Sequence, residues 1–147
     1  MRLASCLILT ILALGAQDSK FSGPSDANPA VNEGDLRIVH RAREILNSPA
    51  KWNHADNREC PAAETTFSLY CALEKATEEV SKRFQHRGAA MQQARFVIDE
   101  ILAKNKHYEH RLMDYNNDPK TTFADVQRFF TLLEERIQKQ LATRSHQ

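Results

Sequence analysis

The chain is poor in chain-breaking residues: four Gly and five Pro in 147 positions are too few for a turn-rich sandwich or a disordered tail. It has no excess of either charge. Twenty Lys plus Arg against 19 Asp plus Glu leave a net charge of +1, so electrostatics give no reason to expect nucleic acid or an acidic membrane as partner. It has no Cys-x-x-Cys-His haem motif and no Glu-x-x-His of the di-iron bundles. No cofactor is expected. What is present, 41% hydrophobic and 27% charged residues, suits one ordinary globular domain.

The exception to that even composition is the start. Arg2 precedes an apolar run from Leu3 to Leu14, followed by Gly15-Ala16. One positive charge, a short apolar segment and small residues at its end read as a secretory signal peptide, residues 1–15, cleaved near 15 or 16. The run falls short of the roughly 20 residues that span a bilayer. No second candidate follows, so no membrane span is expected after cleavage. Removing residues 1–15 takes away Arg2 and no acid, so the net charge goes from +1 to zero. It also takes Cys6 and leaves Cys60 and Cys71. The chain is expected to be exported, to a periplasm or secreted, where two remaining cysteines usually pair.

Residues 16–34 are rich in Ser, Gly, Pro, Asn and Asp with no apolar period, and read as a flexible leader. Residues 35–142 form a single helical domain, and 143–147 a tail. Four stretches carry the three-and-four spacing of an amphipathic helix, and none shows sustained strand alternation. Asp35 to Asn47 places Leu36, Val39, Ala42 and Leu46 on one stripe, and Ser48-Pro49 ends it. About Glu64 to Phe84 follows, with Phe67, Tyr70, Leu73, Ala76, Val80 and Phe84 together. Ala89 to Ala103 begins after Gly88, with Ala90, Met91, Ala94, Val97, Ile98, Ile101 and Leu102 on one face. The last is clearest: Phe123, Val126, Phe130, Leu133, Ile137 and Leu141, with Thr122 as N-cap and Asp125 in the first turn. One or two turns around Tyr108 to Tyr115 complete an all-α fold, a compact bundle of four main helices plus one short one.

Cys60 and Cys71 allow two geometries. A helix begun at Pro61 would hold them about 16 Å apart, beyond the roughly 7 Å a disulfide can bridge. A helix begun at Thr65 or Thr66 lets the Cys60 loop fold back and bond. A free Cys71 could instead serve as a nucleophile with His110 as base and Asn116 or Asn117 behind it, although that spacing matches no known signature. His107 and His110, three apart, could share a metal on one helical face, but a zinc site wants a third ligand and Lys104, Lys106 and Arg111 crowd the same stretch.

Tyr115-Asn116-Asn117-Asp118-Pro119 is the most unusual string. Asn and Asp tolerate positive φ and bond nearby backbone, so the string reads structurally as a rigid corner. Functionally it could present amides and carboxylates to a partner. Trp52, the single tryptophan, reads as packing the first long connection onto the bundle, with an exposed binding role as the lesser alternative.

These pieces resemble a small bacterial family of unknown function. Its marks are an amphipathic helix ending before a tryptophan (Ala42 to Leu46, then Trp52), a helix with Cys-small-Leu (Cys71-Ala72-Leu73), and an aromatic-Asn-Asp turn opening the last helix (Tyr115 to Asp118, Thr122, Val126). The resemblance covers about Leu36 to Ile137. The chain departs from it by Ala where glycine is common near Cys71, an extra Asn in the turn, and the signal peptide. The resemblance implies this order of helices and carries over no catalytic residue. The expected function is binding of a protein or small ligand without turnover; a thiol enzyme using Cys71 with His110, or a metal- or cofactor-binding bundle using His107 and His110, are the alternatives.

Overall fold

A computed structural model describes residues 28–102 and 108–145. The signal peptide, most of the leader, His107 and the last two residues lie outside them. Among the described residues the protein is all-helical: α1 (Glu33–Ile45), a single 3-10 turn (Pro49–Lys51), α2 (Leu69–Ser81), α3 (Ala89–Leu102), α4 (Arg111–Asn117) and α5 (Phe123–Ser145). One isolated parallel bridge joins Trp52 to Phe67. Helix α1 packs against α2, α3 and α5; α3 against α4 and α5; and α2 against α4. Their apolar stripes close over a core in which Leu46, Leu69, Leu73, Ile98, Phe129, Phe130, Leu133 and Ile137 are fully buried.

The packed domain reaches back before the expected domain boundary. Asn32 caps α1 by accepting from Gly34 N at 2.7 Å, and Asp35 returns the favour to Asn32 N at 2.8 Å. This reciprocal cap fixes the entry of the helix. It also requires glycine at 34, where a Cβ would come within 2.7 Å of Asn32 Oδ1. Val31 sits in the core at 1% exposure. Its carbonyl accepts from Arg144 Nη1 at 2.8 Å, and Asn28 Oδ1 accepts from Gln93 Nε2 at 2.6 Å. Residues 28–34 are therefore not leader, and 143–145 are not tail but the last turn of α5. Segments this short carry no readable period; long-range bonds hold them.

Helix α2 is shorter at both ends than its stripe suggests. Ser68 Oγ accepts from Cys71 N at 3.1 Å and caps the helix, while Phe67 is held extended by Phe67 N to Lys51 O (2.8 Å) and Asn53 N to Phe67 O (2.9 Å). At the far end Lys82 adopts a left-handed φ of 62° and closes the helix with a bond to Glu78 O. Phe67 and Phe84 keep helical spacing but lie in loops. Helix α5 opens as expected, with Thr122 N donating to Asp125 Oδ2 at 2.9 Å and Asp125 N to Thr122 Oγ1 at 3.2 Å. The Thr122 hydroxyl, donating to Asp125 Oδ2 at 2.6 Å, and then the Thr122 N–H hold the Asp125 carboxyl below the usual carboxylate range.

Candidate functional site

Because α2 starts only at Leu69, Cys71 lies in its first turn and the Cys60 loop folds back over it. The two sulfurs are bonded at 2.03 Å, with Cα atoms 5.3 Å apart. Of the two geometries the sequence allows, the second holds. The closed loop contributes about 3 kcal/mol in the chain-entropy account. A bonded Cys71 has no thiolate, so the pairing with His110 lacks its nucleophile. His110 precedes α4, and its backbone N–H donates to Asp114 Oδ2 at 2.8 Å. Among the described residues no three His, Cys, Asp or Glu side chains gather where they could hold a metal ion.

Trp52, Asn116 and Asn117 do converge. Asn116 is fully buried at the end of α4. Its Oδ1 accepts from Trp52 Nε1 at 2.8 Å and from Leu69 N at 3.0 Å; its Nδ2 donates to Asn53 O at 3.0 Å and to Asn117 Oδ1 at 3.1 Å. All four bonds an amide can make are filled. Asn117 pairs with the backbone of Asp56 in both directions, Asp56 N to Oδ1 at 2.7 Å and Nδ2 to Asp56 O at 2.8 Å. Trp52 stacks obliquely on His54 and Phe123. Asp118 accepts from Tyr108 Oη at 2.6 Å and Lys120 N at 3.0 Å. The buried Tyr115 hydroxyl donates to Asp125 O at 3.3 Å, and burial, then the Asp125 charge, push its pKa up to about 12. The string is a fastening of α4 to the connection between α1 and α2.

A second polar cluster was invisible to helical periodicity. Tyr70 on α2, His86 in the loop before α3 and Arg95 on α3 form a chain. Arg95 Nη2 lies 3.1 Å from His86 Nε2, and His86 Nδ1 lies 3.3 Å from Tyr70 Oη. A guanidinium can only donate, so Nε2 accepts and the ring proton sits on Nδ1, facing the tyrosine. Glu74, one turn along α2, flanks the tyrosine hydroxyl. Each group is perturbed accordingly. Burial lowers the His86 pKa, helped by Arg95, Arg58 and Arg87. Burial, then Glu74, raises Tyr70 to about 12. Burial also raises Glu74 and lowers Arg95.

Arg58, with a left-handed φ of 62°, lies just before Cys60, and its charge acts on both Tyr70 and His86. Its backbone N–H donates to Asp56 Oδ1 at 2.7 Å. Asp56 is buried at 6% exposure, its Oδ2 has no hydrogen-bond partner, and burial raises its pKa. The one sequence signal for this corner is the basic run Lys82-Arg83-Phe84-Gln85-His86-Arg87. Arg87 and Gln85 also line a cleft of about 290 Å³ that reaches Asp35, Ile38, Thr77 and Met91.

A disulfide-closed helical domain of this order defines the class of the protein. The chain belongs to a family of unknown function (DUF6197), whose model matches residues 32–136. That span begins at the Asn32 cap of α1 and ends within α5. No curated protein and no solved structure matches the chain.

Proposed function

We propose that this protein is a small exported domain that acts by binding a protein or small-ligand partner, without turnover. The observation that carries the reading is the Cys60–Cys71 disulfide, which closes the loop over α2. Such bonds persist outside the reducing cytosol, in keeping with the apolar run and small residues at positions 3–16. The same bond removes the thiolate a cysteine enzyme would need. Binding rather than catalysis is favoured by the polar architecture: the Asn116 amide is directed wholly inward, whereas Arg58, Arg87 and Arg95 have no carboxylate within ion-pair distance among the described residues.

The reading is tested by expressing the whole chain in a bacterial host with a periplasm. The expected product is recovered outside the cytoplasm, begins near residue 16 or 17 by mass spectrometry, and titrates with no free thiol. Recovery of the uncleaved chain from the cytoplasm with reactive thiols would defeat export. Hydrolytic or redox turnover abolished by one substitution would defeat the binding role.

A further inference from the structure

Four of the eleven described arginines hold a carboxylate. Arg41 pairs with Glu79 and Glu44, Arg43 with Glu134, Arg111 with Asp99, and Arg136 with Glu100. The three arginines nearest His86 hold none. Arg58, Arg87 and Arg95 come from the connection just before Cys60, the loop before α3 and α3 itself, and none lies within ion-pair distance of a carboxylate among the described residues. Arg95 is anchored rather than loose: Nη2 also donates to His86 O at 3.0 Å, and Nη1 to Gln92 Oε1 at 3.3 Å. Three of its five N–H groups are thus engaged and two remain. The two nearby acids are already held, Glu74 against the Tyr70 hydroxyl and Asp56 by the Arg58 N–H. A half-buried guanidinium without a counter-charge costs stability, and a bound anion would supply the missing charge through charge-assisted bonds.

We infer that Arg95, Arg58 and Arg87, arranged around the His86–Tyr70 pair, form a binding site for an oxyanion of the phosphate type, free or as a phosphate monoester. Arg95 is the fixed fork. Arg58 and Arg87 are exposed, the charges of both act on His86, and Arg87 also lines the neighbouring cleft, where the organic part of a monoester has room. His86 holds Arg95 in place by accepting from it. This inference rests on the reading of the protein as a binding domain and names the chemistry of what it binds.

The test is calorimetric titration of the purified chain with inorganic phosphate and with O-phosphoserine, against sodium chloride at matched ionic strength. Saturable binding of phosphate beyond any chloride effect is expected. Arg58→Gln and Arg87→Gln should each weaken it about tenfold, the loss of one charge-assisted contact. Arg95→Gln should abolish it; should that variant fail to fold, the two exposed variants decide the matter. Arg128→Gln, on the exposed side of α5, should leave the affinity unchanged. Tighter binding of phosphoserine assigns the site to monoesters, and phosphate alone assigns it to the free anion. Equal heats from chloride and phosphate, an unaltered affinity in the Arg58→Gln/Arg87→Gln double variant, or an equal loss in Arg128→Gln would overturn the site. Location separates the two readings: a cytoplasmic chain that binds phosphate sinks export alone, and an exported chain that ignores phosphate sinks the oxyanion site alone.

Discussion

Two polar clusters border the connection between α1 and α2, and they are built on different principles. Around Asn116 every donor meets an acceptor within the protein: Trp52, Asn53, Asp56 and Leu69 are all tied to two adjacent amides. Around His86 the donors outnumber their partners: Arg95 bonds the histidine and a glutamine and keeps two N–H groups over, and the charges of Arg58 and Arg87 act on the same ring. A satisfied buried network rigidifies a fold. A surplus of oriented donors leaves something to be satisfied from outside. The first cluster is a clasp; the second is an opening.

The contrast breaks most visibly at the clasp. Asn116→Ala leaves the Trp52 Nε1, Leu69 N and Asn53 O groups without their partner, and each buried orphan costs about 1–3 kcal/mol. Urea denaturation should register a loss of roughly 3–5 kcal/mol, among the largest of any polar substitution. A loss under about 1 kcal/mol would show that water replaces the amide, and the clasp would not be one. Next in size is the disulfide. The Cys60→Ser/Cys71→Ser variant should lose about 2–4 kcal/mol in the same assay. Its fluorescence from Trp52 should change little at low urea, since the clasp does not pass through the sulfurs.

Asp56 joins the two clusters, and its effect is smaller and runs against the usual direction for an acid. Burial raises its folded pKa, so the folded state binds that proton more tightly than the unfolded chain does. Its stabilising contribution is complete below the ordinary Asp value and is lost as pH rises through the raised folded one. Asp56→Asn keeps an acceptor for the Arg58 N–H and removes the buried charge. It should therefore gain roughly 1 kcal/mol over the parent at neutral pH, with the gap closing as the solution is acidified through the carboxylate range. A gap that is constant with pH would mean the carboxyl does not titrate there.

The smallest expected effect sharpens the opening. His86 should titrate, by NMR of its ring protons, below the ordinary histidine value of 6.5, because burial and then Arg95, Arg58 and Arg87 disfavour the imidazolium. Tyr70, Phe84 and Glu74 complete its surroundings on the α2 side. Arg58→Gln or Arg87→Gln should shift the midpoint upward. No shift in either would place those guanidiniums too far away to serve one site.

The helices themselves were legible because burial imposes a period. Val39, Ala42, Leu73, Ala76, Val97, Ile98, Val126, Phe130, Leu133 and Ile137 all fall on the stripes read from spacing, and all are buried. Thr122 and Asp125 were legible as well, because a cap is a local bond between neighbours. The start of α2 was not: Phe67 has the right spacing but is held extended by Lys51 and Asn53, residues about 15 positions away. Phe129, fully buried beside Phe130, was missed because a strict stripe leaves out a residue at its edge.

Of the residues suspected from sequence, Trp52 and Asn116 meet, but their polar groups turn toward each other. Tyr70 was legible only as an apolar position, and His86 and Arg95 only as polar ones. Nothing in their spacing links them, since the loop that joins α2 to α3 brings them together by its turn at Lys82.

The amino-acid order alone determined that this protein hides apolar faces of helices from water, and it marked where several of those helices begin and stop, because both depend on neighbours within a turn or two. Whether two cysteines bond, which asparagine amide faces inward, and which arginines are left without a counter-charge were decided only by the tertiary structure. Those are matters of distance between residues far apart in the chain, and a hydrogen bond or an ion pair acts over only a few ångströms.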